Sequence, residues 1–279
     1  MWKEDINVIN KINTVLKTHE EQNAQAVKNK LFYHYTNSAG LLGIFQTTSL
    51  WATHFRFLND VTEFEYGIEI IFKVLEEYLE TQELKDSEIK LITQVFLLQK
   101  SLEEKNFNAY IACFCTNGDL LSQWRGYAGS SGYAIGFTGD IFNEKDYVDD
   151  IEKNTNVRWE FGKVYYGSDA EELVRDLIPY CVEIVKSYLI EYPTGSTRTG
   201  SIEFIQTLSS LKMLFYQIPF FSKHGGFKEE MEWRLVGTPI DIPTTHFRAT
   251  TAGIIPYIEF NFLKGFFAID IDDRNYMPD

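Results

Sequence analysis

Leu31-Phe-Tyr-His-Tyr-Thr-Asn-Ser-Ala-Gly-Leu-Leu-Gly-Ile-Phe45, followed closely by Leu50-Trp-Ala-Thr53, is the stretch on which the fold turns. Leu31–Tyr35 is rich in aromatic side chains that pack well on a pleated surface, which predicts a short strand. Thr36 or Asn37 offers a side-chain oxygen to cap a helix running through Phe45. Leu50–Thr53 reads as a second strand.

The pattern extends outward from there. Ile6, Ile9, Ile12, Val15 and Leu16 recur at helical spacing and predict an N-terminal helix or helix pair over about 1–30. From about Thr62 to Glu80, Glu63, Glu65, Glu69, Glu76 and Glu77 supply a wet side, and Phe64, Ile68, Phe72 and Leu75 a buried one. A second helix of the same character runs from about Asp86 to Glu104. Strand character returns at Tyr110–Cys115, Gly132–Phe137 and Val157–Tyr166, with a turn of helix at Leu120–Tyr127. Helices follow near Ala170–Glu191 and Ser201–Gln217, separated by the loop signal Tyr192–Gly200. Glu232–Val236, Ile254–Phe260 and Phe266–Ile271 close the chain as strands, the last stopping short of Asp279 and leaving room for a terminal strand beyond it. Strands at both ends, helices between, and no regular alternation predict an α+β fold. The expectation is one domain over 1–279, with the N-terminal helix at about 1–30 and a helical insertion at about 61–105.

Composition narrows the function classes. The 279 residues are 44% hydrophobic and 15% aromatic, enough for a sizeable core and against disorder. Lys and Arg number 26 against 40 Asp and Glu, a formal net charge of -14. Such a chain does not coat a phosphate backbone, although a local patch still admits one nucleotide or a basic partner. Cys113 and Cys115 alternate along a strand and read as small core residues, with no metal-ligand spacing around them. The opening Met1-Trp-Lys-Glu-Asp-Ile6 has no apolar run of the signal-peptide kind, and no stretch approaches about 20 apolar residues. A cytoplasmic protein off the membrane is expected.

Four islands carry the unusual polar residues. In Tyr33-His34-Tyr35-Thr36, a His at a strand end before a capped helix suits anions or sugar hydroxyls; a satisfied core His is the plainer account. Asn59-Asp60-Val-Thr-Glu63 reads as an N-cap and its box partner, or as support for a site. Ser122-Gln-Trp124-Arg125-Gly-Tyr127-Ala, with Gly129-Ser-Ser-Gly-Tyr133 after it, places small residues between aromatics. Backbone there approaches a flat ligand closely, and Arg125 suits phosphate or an internal carboxylate; a tight turn leading into a strand explains the glycines equally well. In Glu230-Met-Glu232-Trp-Arg234 the two carboxylates are expected on one strand face, where like charges repel, with Arg234 on the same face to neutralise them. An edge-strand charge ladder is the alternative.

Taken in order, His34-Tyr-Thr36, Asn59-Asp60-x-x-Glu63, Trp124-Arg125-x-Tyr127, Gly132-Tyr133-x-x-Gly136 and Glu230-x-Glu232-Trp-Arg234 resemble the bacterial family called domain of unknown function 2971, from Leu31 to about Tyr257. The layout is also similar to the ADP-ribosyltransferase superfamily, which implies a split mixed β-sheet with NAD as substrate. On that resemblance His34 and Thr36 hold a ribose, and Tyr133, or Tyr127 in its place, stacks on nicotinamide. Glu232 is the catalytic carboxylate, and Glu230 faces the acceptor. Tyr35, Trp124, Arg125 and Arg234 complete the NAD-binding set, with Asn59, Asp60 and Glu63 in support and no metal. His34, Tyr133 and Glu232 are then expected to line one cleft.

The implied chemistry suits these parts. Breaking the nicotinamide–ribose bond builds positive charge on the sugar, and a carboxylate near the 2′-hydroxyl is felt more strongly as that charge grows. A second carboxylate orients or deprotonates the acceptor. Glu232→Gln is expected to add roughly 2–4 kcal/mol to the barrier. The leading expectation is an NAD-dependent ADP-ribosyltransferase acting on a protein or nucleic-acid target. Such an enzyme would be a toxin or phage-defence effector held by an antitoxin or other neutralising partner. Two alternatives stand beside it: a non-catalytic nucleotide-binding sensor, and a metal-dependent nuclease built on Asp60, Glu63, Glu230 and Glu232.

Overall fold

Aromatic and β-branched residues at Leu31–Asn37 form β1, and Ser49–His54 forms β2. Between them α1 (Ser38–Thr47) starts at Asn37, whose side chain accepts the Gly40 N–H at 3.0 Å. The helix ends at Thr48, which sits in the left-handed region at φ 50°. A β-branched residue adopts that conformation at a cost, whereas glycine does not. Thr48→Gly is therefore expected to raise the melting temperature by about 2–4 °C in thermal denaturation. A drop would mean that the Thr48 hydroxyl bond to the Thr47 carbonyl, 2.7 Å, outweighs the backbone relief.

The computed structural model describes residues 25–58, 62–128, 132–142, 157–191, 202–239, 245–250 and 253–261, with parts of 11–23. Asn59, Asp60, the loop 192–200 and the strand expected at Phe266–Ile271 lie outside the described residues, as do residues 1–10 of the expected N-terminal helix. The chain divides into two compact units. A sheet unit contains Gln22–Val61, Asn108–Val164 and Lys228–Asp279; a helical unit contains Met1–Glu21, Thr62–Phe107 and Tyr165–Phe227. The helical insertion expected at about 61–105 is thus part of a larger helical unit that also draws on residues 165–227.

In the helical unit, α2 (Thr62–Glu80), α3 (Asp86–Asn106), α4 (Ser168–Glu191) and α5 (Ile202–Phe221) pack around a core that includes Ile71, Val74, Leu75, Phe96, Leu177, Ile178 and Phe215. Glu63 and Glu65 in the first turn of α2 complement its dipole. Two short strands, β6 (Tyr165–Tyr166) and β7 (Ser222–Lys223), pair in parallel. The segment read as one strand over Val157–Tyr166 is therefore two. β5 (Val157–Lys163) belongs to the sheet unit, and β6 to the helical unit.

The sheet unit adds β3 (Tyr110–Cys115), β4 (Gly132–Thr138), β8 (Glu232–Pro239), β9 (His246–Thr250) and β10 (Gly253–Asn261). Its eight strands run in the order β4-β1-β3-β2-β10-β9, with β8 on the other edge of β3 and β5 beyond β8. Every pairing among them is antiparallel, so the expected mixed sheet is corrected to an antiparallel one. The α+β expectation stands.

One junction decides where a site can form. β8 follows β3 along its whole length, from Tyr110↔Gly237 to Cys115↔Glu232. The opposite edge of β3 is shared: β1 meets it only at Tyr33↔Cys115, and β2 only at Thr53↔Ile111 and His54↔Tyr110. Two strands that share one edge at opposite ends must part between them, and the sheet is split there.

One face of the sheet carries the core. Phe32 meets Trp233 at 4.9 Å and Phe161 at 5.1 Å between ring centroids, and Phe142 stacks on Phe161 at 3.9 Å. Side chains alternate along strands, so Leu50, Ala112, Phe114, Ile135, Leu235 and Phe260 join this face. Among the described residues no helix is long and apolar enough to cross a membrane.

Candidate functional site

At the split, His34 takes up what β1 abandons. Its Nδ1 lies 2.9 Å from the Cys113 carbonyl oxygen. A carbonyl only accepts, so Nδ1 carries the proton and Nε2 is left as an acceptor. Burial lowers the pKa of His34 below its ordinary 6.5; the Cys113 bond opposes this, and Arg248 lowers it further. His34 is therefore a neutral imidazole, a good partner for a sugar hydroxyl.

A stability effect follows. The unfolded chain protonates its histidine near the ordinary value, the folded one only at lower pH. The contribution of His34 to stability is present above about pH 6.5 and lost as pH falls through the lowered value, at up to about 1.4 kcal/mol per pH unit. His54 is shifted the same way by burial and by Arg56. Urea titrations between pH 7 and pH 5 should show declining stability in the parent and a shallower decline in His34→Gln. Parallel declines would remove His34 as a source.

Register sorts the remaining candidates by face. Tyr33, Tyr35, Cys113, Cys115, Glu232 and Arg234 share one face through the pairs Tyr33↔Cys115, Cys115↔Glu232 and Cys113↔Arg234. Phe32, His34 and Thr36 point to the other, and Thr36↔Tyr133 puts Tyr133 with them. The single cleft expected from His34, Tyr133 and Glu232 is thus not what the register gives: His34 and Tyr133 lie on one face and Glu232 on the opposite one. The His34 ring lies 5.6 Å from that of Phe114 on the core face, with Nδ1 turned to the β3 backbone.

Tyr35 and Trp124 brace a loop. The Tyr35 hydroxyl donates to the Asn117 carbonyl at 2.7 Å and accepts the Leu120 N–H at 2.9 Å. Burial above all pushes its pKa up to about 12. Trp124 meets the Tyr35 ring edge-on at 4.8 Å and donates from Nε1 to Asp119 at 3.0 Å. Both hold the turn Leu121–Ala128 in place, while Arg125 and Tyr127 project from it exposed. A Cβ at Gly126 would meet nothing within 4 Å, so this surface is open. The glycines nearby serve packing: a Cβ at Gly118 would lie 2.6 Å from the Tyr33 ring, and one at Gly136 3.3 Å. Thr36 is tucked under α1, its hydroxyl against the space that a Cβ on Gly40 would need.

Glu232 and Arg234 are almost wholly buried, at 5% and 1% exposure. The guanidinium donates Nε to Glu232 Oε1 at 2.8 Å and Nη2 to Oε2 at 3.2 Å, a side-on bidentate ion pair. The expected neutralisation of Glu232 by Arg234 is therefore drawn bond by bond. Glu230 is different. It ends the turn Gly225–Glu230, and Met231 at φ 45° interrupts the chain before β8 begins at Glu232. The pair does not share a strand face by alternation, although both carboxylates help raise the Cys115 pKa, to which burial contributes most. Buried and protonated, Cys115 is no nucleophile.

Glu63 belongs to the other unit. It sits in the helical unit and pairs with Lys223 at 2.9 Å, both side chains nearly buried. Among the described residues no group of three His, Cys, Asp or Glu is placed to hold a metal.

The middle and late islands coincide with a known family. Residues 123–235 match the family described as protein of unknown function (DUF2971). The match opens at Gln123, beside Trp124, and closes at Leu235, one residue past Arg234; it covers well under half of the chain, less than the span over which the ordered motifs resemble that family. No curated protein and no solved structure matches the chain. The DUF2971 description states no activity, and the relation to ADP-ribosyltransferases rests on the ordered motifs alone.

Sequence reading missed Arg248, Trp51 and Tyr257, on β9, β2 and β10. Trp51 and Tyr257 lie ring to ring at 4.8 Å, and the Arg248 guanidinium stands 5.9 Å from the Trp51 centroid and donates to Thr53 at 2.7 Å. The signal available was the alternation His246-x-Arg248, which puts both side chains on one strand face.

Proposed function

We propose that the sheet unit binds NAD where β1 and β2 part from β3. One observation carries this: a neutral His34, fixed through Nδ1 on the Cys113 carbonyl, keeps Nε2 as an acceptor beside the strand from which β1 and β2 part. Its fit to a ribose hydroxyl agrees with the role that the His34-Tyr-Thr36 motif implies. Open backbone at Gly126, between exposed Arg125 and Tyr127, gives room for a flat ring beside a cation. Ser122 Oγ, buried in the same turn, has no hydrogen-bond partner and suits a polar ligand atom.

Recognition of the dinucleotide without turnover has the most support. Both oxygens of Glu232 are engaged by Arg234, and Glu232 faces away from His34 and Tyr133. Transfer of ADP-ribose is the second reading. A carboxylate buried at the mouth of β8, next to a second one at Glu230, favours it, since such a group stabilises positive charge on a sugar. A toxin or defence role, with an acceptor and a neutralising partner, belongs to that second reading. For the nuclease reading, no group of three His, Cys, Asp or Glu among the described residues is placed to hold a metal.

Equilibrium dialysis with NAD labelled in its adenine, run beside an assay for released nicotinamide in the presence of cell lysate, separates these outcomes. Binding with no nicotinamide over hours supports recognition alone. Nicotinamide release that Glu232→Gln abolishes, with label moved to protein or nucleic acid, supports transfer. If no NAD is bound, both fall.

A further inference from the structure

Two buried N–H donors in the sheet unit have nothing to donate to. Trp51 Nε1 and Arg248 Nε are each shielded from solvent, and neither has a hydrogen-bond partner. They belong to side chains in contact, with the guanidinium against the Trp51 ring. An unmade bond from a buried donor is costly, and more so from a cation, so native proteins rarely leave one without reason. Here two occur in one cluster.

The rest of the cluster is committed. Tyr257 lies against the Trp51 ring, His246 stacks on Tyr257 at 5.4 Å, and Gly43 leaves room for the far edge of the indole, where a Cβ would come within 2.8 Å. Thr53, itself buried, takes one Nη2 hydrogen of Arg248. Among the described residues Arg248 meets this hydroxyl and the rings of Trp51 and Tyr257, and no carboxylate pairs with it. Rings and a hydroxyl hold a guanidinium in place without cancelling its charge. What the arrangement lacks is an acceptor bearing negative charge.

We propose that Arg248 and Trp51 form an anion subsite that takes a phosphate group of the bound nucleotide. A guanidinium fixed on one side by Thr53 offers its remaining N–H groups as a fork matched to a phosphate oxygen pair, and the indole N–H adds a third donor. Arg248 and His34 belong to one unit, but register sets Arg248, Trp51 and Thr53 on the face of Ile111 and His34 on the opposite one, so the subsite takes the diphosphate on its own face. The subsite rests on the NAD reading only for naming that diphosphate; the unpaired donors ask for an oxyanion in any case.

Calorimetric titration of the full chain with inorganic pyrophosphate, ADP-ribose, NAD and nicotinamide riboside tests it. Arg248→Met should weaken pyrophosphate and ADP-ribose roughly tenfold or more while leaving nicotinamide riboside unchanged, with a shallower salt dependence. Trp51→Phe keeps an aromatic ring against Tyr257 while removing the N–H with the rest of the indole, and should weaken the same two ligands by a smaller factor, which guards against a folding defect in the first variant. Equal affinity for pyrophosphate and ADP-ribose in parent and both variants overturns the subsite, as does a parent that binds neither. Pyrophosphate binding that depends on Arg248, in a parent that ignores NAD and nicotinamide riboside, keeps the subsite and sinks the NAD reading. NAD bound equally by parent and Arg248→Met does the reverse.

Discussion

Glu232→Ala is expected to lower the unfolding free energy by about 3–5 kcal/mol, because it removes the carboxylate to which a buried guanidinium donates twice. Arg234 is 1% exposed and donates to Glu232 through both Nε and Nη2. The expected loss is mostly the cost of a buried charge deprived of this carboxylate, not the strength of the pair. That distinction is testable. Replacing both partners with apolar residues of similar size, Glu232→Leu with Arg234→Met, should recover most of the loss, since a well-packed apolar pair is often as stable as a buried ion pair. A double-mutant cycle by urea denaturation should show strong coupling. If Glu232→Ala alone costs less than about 1 kcal/mol, the carboxylate and guanidinium are not paired as drawn. The result also governs any test of turnover. Activity lost in Glu232→Ala would reflect unfolding as readily as chemistry, so the informative variant is Glu232→Gln, which keeps the shape and one acceptor for Arg234.

Much of the architecture follows from local pattern. The ring-rich run at Leu31 and the alternation at Tyr110–Cys115 each mark a strand by side-chain type alone, and Asn37 caps α1 as its oxygen allows. The shared face of Glu232 and Arg234 needs only a period of two within one strand. Where the reading failed, the deciding fact was not local. Glu230 and Glu232 have the same spacing, yet Met231 adopts a left-handed conformation and breaks the period before the strand starts. Tyr133 faces away from Glu232 because the register runs through β4, β1, β3 and β8 in turn, and a single residue of slip in any pairing would reverse the answer. The pairing of Tyr165–Tyr166 with Ser222–Lys223 joins segments far apart in sequence. Arg248 escaped notice for the same reason, its meaning lying in Thr53 and Trp51, which are distant in the chain.

The other large effect belongs to Gly67. It occupies a buried position in α2, and a Cβ built there would run into the Pro219 Cα and come within 2.8 Å of the Ser222 Oγ. The nearest obstacle is backbone of α5, which a side-chain rotation cannot clear. Pro219 sits inside that helix, and the Ser222 hydroxyl is bonded to the Ile218 carbonyl at 2.6 Å, so the opposing surface is itself fixed. Alanine is a better helix former than glycine by about 1 kcal/mol, and in an exposed helix Gly→Ala would stabilise. Here steric exclusion outweighs propensity. Gly67→Ala is expected to destabilise by about 1–3 kcal/mol and Gly67→Val by more, because α2 and α5 must move apart and loosen the contacts of Ile71 and Phe215 with the rest of their core. Gly126→Ala, with nothing within 4 Å of its Cβ, is the control and should change stability by less than about 0.5 kcal/mol. Should Gly67→Ala raise the melting temperature as propensity alone would have it, the close approach of the two helices is wrong.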